Sequence, residues 1–168
     1  MTATSGLTSA QMTTVVVLRV LIGWHFLYEG LSKLTAESWS ASGYLLQSRG
    51  PLEGFFKGIA ANPGMLDTVN QLNMWGLTAI GLGLILGAFT RLASASGTLV
   101  LLLLYLCNPP FVGYFYSVPT EGSYLIVNKN LVEAAALAVI FVTNSGRAVG
   151  LDRIFHGLLR RRPVPTEA

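Results

Sequence analysis

Four ionisable residues lie in the first long apolar segment of the chain. Arg19, His25, Glu29 and Lys33 fall within roughly a third of the circumference of a helix, at about 100° per residue. An ionisable side chain at membrane depth costs roughly 3 kcal/mol on insertion scales, so four on one face indicate a functional site. Side chains of these types can donate hydrogen bonds, hold an anion or carry protons.

A second polar group opens the last apolar segment. It consists of Asn128, Lys129, Asn130 and Glu133. The two segments run in opposite directions, so at about 1.5 Å per residue His25 lies roughly 14 Å and Glu133 roughly 12 Å below the same outer end. These matched depths predict that the two sets of charges meet if the helices are neighbours. We therefore expect Lys33 and Lys129 to line one cavity.

Two chemistries suit such a cavity, and the residues alone leave both open. A quinone headgroup needs a hydrogen-bond donor for each carbonyl and a route for protons, which Lys, His and Glu side chains supply. A small anion such as thiosulfate would instead lie between two lysines. The residues expected to be catalytic, as donor and proton relay, are His25, Glu29 and Glu133. The residues expected to bind the substrate or quinone are Arg19, Lys33, Asn128, Lys129 and Asn130.

A purely structural role is the alternative for the same charges. Glu29 with Lys33, and Glu133 with Lys129, could form salt bridges that lock helices together. A buried ion pair is often no more stable than apolar packing of the same volume, which favours the functional interpretation. Arg19 lies nearer the other end of its segment, where it could instead reach lipid phosphates.

The segments that position these residues are long and apolar. Of the 168 residues, 52% are hydrophobic and only 11% are charged, whereas a typical soluble domain is about one-quarter charged. Segments 13–34, 72–90, 92–107 and 125–144 approach the length of about 17 to 25 residues that crosses a bilayer. The composition therefore predicts one all-α domain over residues 1–168, an integral membrane four-helix bundle.

Basic residues indicate the orientation of the chain. Arg91 lies in the short turn between the second and third spans, and the tail beyond Arg147 is the most basic segment. Because Lys and Arg favour cytoplasmic loops, both termini of this multi-pass protein are predicted on the cytoplasmic side of the inner membrane. The connections 35–71 and 108–124 then face outward. The first connection is expected to contain amphipathic helices that form a lid or a docking surface.

Several classes of function do not fit the sequence. Its basic residues follow the pattern of membrane topology, so we expect no nucleic-acid partner. A single cysteine, Cys107, excludes an intramolecular disulfide within this chain. The spans lack the Glu-x-x-His repeat of carboxylate metal sites, and His156 lies beyond the last span. We expect no metal, no pair of haem ligands and no covalent cofactor.

Three runs of sequence resemble the DoxX/DoxD membrane proteins. They are LRVLIGWHFLYEGLSKL at 18–34, MWGL at 74–77 with GAFTRL at 87–92, and NKNLVE at 128–133. The loop WSASGY at 39–44, followed by GPL at 50–52, looks most like the DoxD branch. DoxD is known as a membrane subunit of thiosulfate:quinone oxidoreductase.

The resemblance implies a membrane redox subunit that binds quinone and transfers electrons to it from thiosulfate or from a partner dehydrogenase. Such a protein is a quinone-linked oxidoreductase or part of one, with quinone as its substrate. Its expected partners are membrane lipid, a redox subunit and a second copy of the chain. The non-enzymatic alternative is an anchor or assembly module whose connection 35–71 docks an extracytoplasmic protein. A transporter or small-anion channel ranks third, since the chain lacks the discontinuous helices and paired halves of common transporter folds.

Overall fold

The computed structural model describes residues 6–117 and 125–160, and within these ranges the chain is helical, with no strand. In chain order the helices are α1 (Ser9–Thr35), α2 (Ser42–Leu46), α3 (Glu53–Ala61), α4 (Pro63–Leu86), α5 (Thr90–Cys107), α6 (Lys129–Thr143), α7 (Ser145–Ala148) and α8 (Leu151–Arg160). Among the described residues, α1, α4 and α5 are long and apolar enough to cross a membrane. The predictions of an all-α chain and of a membrane protein are confirmed.

Helices α1 and α4 pack closely because glycines lie between them. A Cβ atom on Gly81 would collide with the backbone nitrogen of Leu27, and one on Gly30 would lie 2.6 Å from the backbone nitrogen of Thr78. Small residues at a membrane helix interface let two backbones approach in this way. The opposite side of α1 carries exposed apolar side chains, including Trp24 at 62% exposure, as expected of a surface in contact with lipid.

Two apolar clusters hold the helices together. The larger one joins α1, α4, α5 and α6 through Ile22, Phe26, Leu77, Ile80, Leu84, Ala93, Leu101, Ala134, Leu137 and Ile140. The smaller one lies beneath α2 and α3 and contains Ala41, Leu45, Phe56, Ile59 and Cys107. The first long connection is therefore packed as a cap on the end of α5, and its predicted helices are confirmed as α2 and α3.

The second span begins nine residues before its predicted start at 72, and that prediction is wrong. The side-chain oxygen of Asn62 accepts hydrogen bonds from the backbone nitrogens of Gly64 (3.1 Å) and Met65 (3.2 Å). Pro63 occupies the first helical position, where its missing N–H costs nothing. The run Asn62-Pro63-Gly64 resembles a turn in sequence but here starts a helix. Helix α4 ends at Leu86, because Gly87 adopts a left-handed conformation with φ 65°.

The fourth apolar segment forms a shorter helix than the predicted span 125–144. Helix α6 has 15 residues, about 22 Å at 1.5 Å per residue, and the hydrocarbon core is about 30 Å thick. The side chain of Asn128 caps its start by accepting a hydrogen bond from the backbone nitrogen of Leu131 at 3.1 Å. Asn144, in a left-handed conformation with φ 50°, ends it. In the described ranges, length and composition thus support three spans.

Candidate functional site

A cavity of about 520 Å³ lies at the end of the bundle that carries Lys33. Its walls come from α1, α4, α5, the start of α6 and the connections around α2 and after α5. The polar residues that line it are His25, Glu29, Lys33, Ser40, Tyr44, Asn73, Asn108, Tyr114, Tyr116, Asn128, Lys129 and Asn130. Small-molecule sites occupy about 300 to 1,000 Å³, so the cavity has the size of a ligand site.

His25 lines one wall of the cavity and contacts a carboxylate on a different helix, that of Glu133, which is not itself among the lining residues. The Nδ1 atom of His25 on α1 lies 2.7 Å from the Oε1 atom of Glu133 on α6. The side chains are 34% and 11% exposed. An ionised carboxylate can only accept hydrogen bonds, so Nδ1 is the donor when Glu133 is charged. The Nε2 atom is then an acceptor in the neutral ring and a donor in the protonated ring.

A fixed cation lies further out on the same face of α1. The Nζ atom of Lys33 donates a hydrogen bond to the Oδ1 atom of Asn73 at 3.0 Å and lies 3.4 Å from the Oε2 atom of Glu29. It also lies 4.9 Å from the centre of the Trp39 ring, within range of a cation–π interaction. Asn73 and Trp39 were not among the predicted binding residues. They hold the ammonium group from α4 and from the first connection.

The first turn of α6 forms the facing wall. Asn128, Lys129 and Asn130 all line the cavity, and the side-chain oxygen of Asn128 is engaged as the helix cap. Lys33 and Lys129 therefore lie on one cavity, as the matched depths predicted. The part that each residue plays in chemistry stays a prediction.

Tyrosines that the sequence analysis did not select cover the cavity. The hydroxyl of Tyr44 donates to the backbone oxygen of Leu104 at 3.0 Å, and that of Tyr116 donates to the backbone oxygen of Pro109 at 2.8 Å. Burial raises the pKa of both phenols above its ordinary value. At neutral pH both hydroxyls stay protonated and bound to backbone, so their rings present apolar surface to a ligand. The aromatic residues of the two long connections were the available signal.

Arg19 does not belong to this cavity, contrary to its prediction as a binding residue. It lies six positions from His25, about 9 Å along the helix axis, and is 2% exposed. Its Nη1 atom donates to the Oγ atom of Ser145 at 3.3 Å, and its Nη2 atom donates to the backbone oxygen of Val149 at 2.8 Å. Arg19 shares a helix face with His25, as predicted, but its distance along the helix axis separates it from the cavity. It ties α1 to the chain after α6.

The cavity offers hydrogen-bonding and charged groups for a ligand. Among the residues that the structure describes, no three His, Cys, Asp or Glu side chains come together as a metal site would require. The thiol of Cys107 is buried under α2, where it contacts the backbone oxygen of Tyr44 at 3.8 Å. The groups that face the cavity suit an organic carbonyl compound or a small anion.

Comparison with known protein families identifies the family of this chain. The family model for DoxX matches residues 14–108, more than half of the sequence. The chain belongs to the DoxX family. No curated protein and no solved structure matches it.

The DoxX match covers most of α1 and all of α2 to α5, and it stops before α6. It therefore includes His25, Glu29 and Lys33 but not Lys129 or Glu133. The resemblance drawn from sequence is confirmed for DoxX, and the DoxD branch stays a prediction. The cavity of this DoxX protein is completed by a helix outside the matched region.

Proposed function

We propose that this DoxX protein is the membrane subunit of a quinone-linked redox system and that its cavity binds the quinone headgroup. The observation that carries the proposal is a pair of fixed donors on the cavity wall. One is the Nε2 atom of His25, which donates when the ring is protonated beside Glu133 at 2.7 Å, and the other is Lys33, held by Asn73 at 3.0 Å. A quinone ring carries two carbonyl oxygens, and each requires a donor when it is buried. The tyrosine rings that cover the cavity offer apolar surface to the quinone ring.

The proton chemistry follows from the same residues. Reduction of a quinone to a quinol takes up two electrons and two protons. His25 delivers a proton from Nε2, and the carboxylate of Glu133 stabilises the protonated ring that precedes this step. Glu29 is 45% exposed beside Lys33, so it links the cavity to water and passes in the second proton as well as the proton that returns to His25. The electrons come from thiosulfate or from a partner dehydrogenase, and the anion would lie between Lys33 and Lys129.

In this function α6 makes a fourth crossing of the membrane, and the cavity lies on the extracytoplasmic side. Helix α6 buries Leu137 and Ile140 against its neighbours and exposes Val132 and Val142, at 60% and 69%, on its outer side. The apolar residues at 125–127 add length at its outer end. Basic residues concentrate at the opposite end, which favours cytoplasmic termini in the inner membrane.

A non-enzymatic anchor is the second candidate. In this function the contacts His25–Glu133 and Lys33–Glu29 only lock helices. The observation that favours it is the exposed apolar surface of the outer cap, where Phe55 is 58% exposed. A partner protein outside the membrane would then dock on α2 and α3.

Two lysine variants distinguish these functions. Lys33→Met removes a cavity donor, whereas Lys57→Met removes a lysine that forms the same i, i+4 pair, with Glu53 at 2.5 Å, outside this cavity. A hydrogen bond to a charged group contributes about 1.5 to 3 kcal/mol, so Lys33→Met should bind quinone at least about tenfold more weakly. Lys57→Met should bind it like the wild type.

The measurements are quinone extracted from the purified protein, titration with added quinone, and thermal melting as the test of folding. If folded Lys33→Met protein binds quinone as tightly as the Lys57→Met control, the quinone site is wrong. The charges would then be helix locks, and the anchor function would stand.

A further inference from the structure

Helix α8 is an amphipathic basic helix that the sequence analysis did not predict. At about 100° per residue its five apolar positions fall within one arc of about 140°. These positions are 151, 154, 155, 158 and 159. Its charged positions and His156 fall in a separate arc of about 100°. Short helices with one apolar face and one basic face typically lie in the membrane interface.

The start of α8 is fixed at the end of the bundle opposite the cavity. The two carboxylate oxygens of Asp152 accept hydrogen bonds from the backbone nitrogens of Phe89 at 2.7 Å and Thr90 at 2.9 Å. The backbone nitrogen of Asp152 donates to the backbone oxygen of Gly87 at 2.9 Å. Asp152 therefore caps the first turn of α5 from another helix. Because α5 is a membrane span, α8 begins where that span meets the membrane surface.

Both faces of α8 are exposed where the structure describes their side chains. On the apolar face, Leu151 is 37% exposed and Ile154 is 58% exposed. On the polar face, Arg153 and His156 are exposed, as is Arg147 just before the helix. An apolar face at the level of the membrane surface, beside exposed arginines, complements a lipid surface that carries anionic headgroups.

We propose that α8 lies on the membrane surface, with its apolar face among the lipid chains and its arginines bound to anionic phospholipid headgroups. This interaction surface is separate from the cavity and does not require quinone binding. Each arginine near an anionic surface strengthens binding about fivefold, which corresponds to about 1 kcal/mol.

Spin labels on the full-length protein in lipid nanodiscs test this placement. A nitroxide is attached at Ile154→Cys on the apolar face and, as the matched control, at His156→Cys on the polar face. Cys107 is 1% exposed and leaves little background. The discs contain phosphatidylcholine alone or equal parts of phosphatidylcholine and phosphatidylglycerol. The Ile154 label should collide mainly with oxygen dissolved in lipid, and the His156 label mainly with a water-soluble nickel chelate.

The oxygen preference at Ile154 should be stronger in discs with phosphatidylglycerol. Equal exposure of both labels to the nickel chelate would overturn the proposal. Protection of the Ile154 label from both reagents would also overturn it, because a protein surface would then cover α8. These outcomes do not depend on quinone binding.

Headgroup selectivity is tested by a pair of arginine variants. Arg153→Gln removes one charge from α8, and Arg49→Gln removes one exposed charge at the other end of the molecule. The enrichment of phosphatidylglycerol that remains bound to the purified protein should fall about fivefold in the first variant and stay at the wild-type value in the second. Full enrichment in folded Arg153→Gln protein would contradict the binding of headgroups by this helix.

Discussion

The Nδ1 atom of His25 lies 2.7 Å from the Oε1 atom of Glu133, although 108 positions separate the two residues in sequence. This contact joins α1, within the DoxX match, to α6, outside it. Each of these groups would be costly if left without a partner at membrane depth. Their pairing explains how both are tolerated, and it fixes the histidine ring on the wall of the cavity.

Replacement of Glu133 by Gln tests whether this pair carries protons. Glutamine keeps the size of the side chain but cannot carry the negative charge that the proposed relay requires beside His25. We expect a loss of about 1 to 3 kcal/mol in the free energy of unfolding and a fall of more than tenfold in quinone reduction. Glu37→Gln changes an exposed carboxylate outside the cavity and should alter neither quantity. Wild-type turnover in folded Glu133→Gln protein would exclude the relay role.

The close approach of α1 and α4 predicts unequal effects of alanine at two glycines of α4. A methyl group at Gly81 meets the backbone of α1, whereas one at Gly76 has open space within 4 Å. Overpacking costs about 1 to 3 kcal/mol, so Gly81→Ala should lower the melting temperature in detergent. Gly76→Ala should be neutral or stabilising by up to about 1 kcal/mol, because alanine favours the helix. Similar melting temperatures for the two variants would contradict the packing described for this pair.

Because the phenol of Tyr44 is largely buried, we expect a loss of stability at alkaline pH. Burial raises its pKa, with Cys107 and Tyr116 adding to the shift, so the folded chain holds the phenolic proton more tightly than the unfolded chain. This stabilisation is complete below about pH 10, the ordinary pKa of tyrosine, and is lost as the pH rises towards the folded-state pKa. The melting temperature should therefore fall above pH 10.

Tyr44→Phe should reduce the fall in melting temperature above pH 10. At pH 7 it should also cost about 1 kcal/mol, since the hydrogen bond to the backbone oxygen of Leu104 is lost. Tyr28→Phe, at an exposed position of α1, controls for the removal of one phenol. If the melting temperature falls by the same amount above pH 10 in Tyr44→Phe and in the wild type, another group controls the loss of stability.

The proposed topology predicts which positions an impermeant thiol reagent reaches in intact cells. Ser117→Cys, exposed after α5, should react from outside. Thr166→Cys, in the basic tail and outside the described residues, should react only after the cells are permeabilised. The wild type controls for the buried Cys107. The reverse pattern would place the cavity on the cytoplasmic side.

The polar faces of the spans could be predicted from sequence because they depend on local spacing. Residues four apart on a helix share a face, so the pairing of Glu29 with Lys33 follows from α1 alone. The depth of Lys129 follows in the same way from its position near the start of α6. Hydropathy is likewise a sum over neighbouring residues, which explains why the membrane class was evident.

The ends of the helices were predicted less accurately, since the same residues can form a turn or cap a helix. Here Asn62 caps α4, and Pro63 occupies the first position of that helix. Asn128 caps α6 and begins it four residues later than the predicted span at 125. Local composition does not distinguish these outcomes, because the choice depends on what the following residues pack against.

Only the tertiary structure decided which of these groups contact one another. Glu133 meets His25 across the bundle, Arg19 faces the segment after α6, and Tyr44 closes the cavity from a connection. Each of these contacts joins residues far apart in sequence, so it depends on which helices are neighbours and how they are rotated. The sequence by itself determined the faces and depths of the charges, since these are properties of a single helix. Their partners depend on packing between helices, which no local pattern contains.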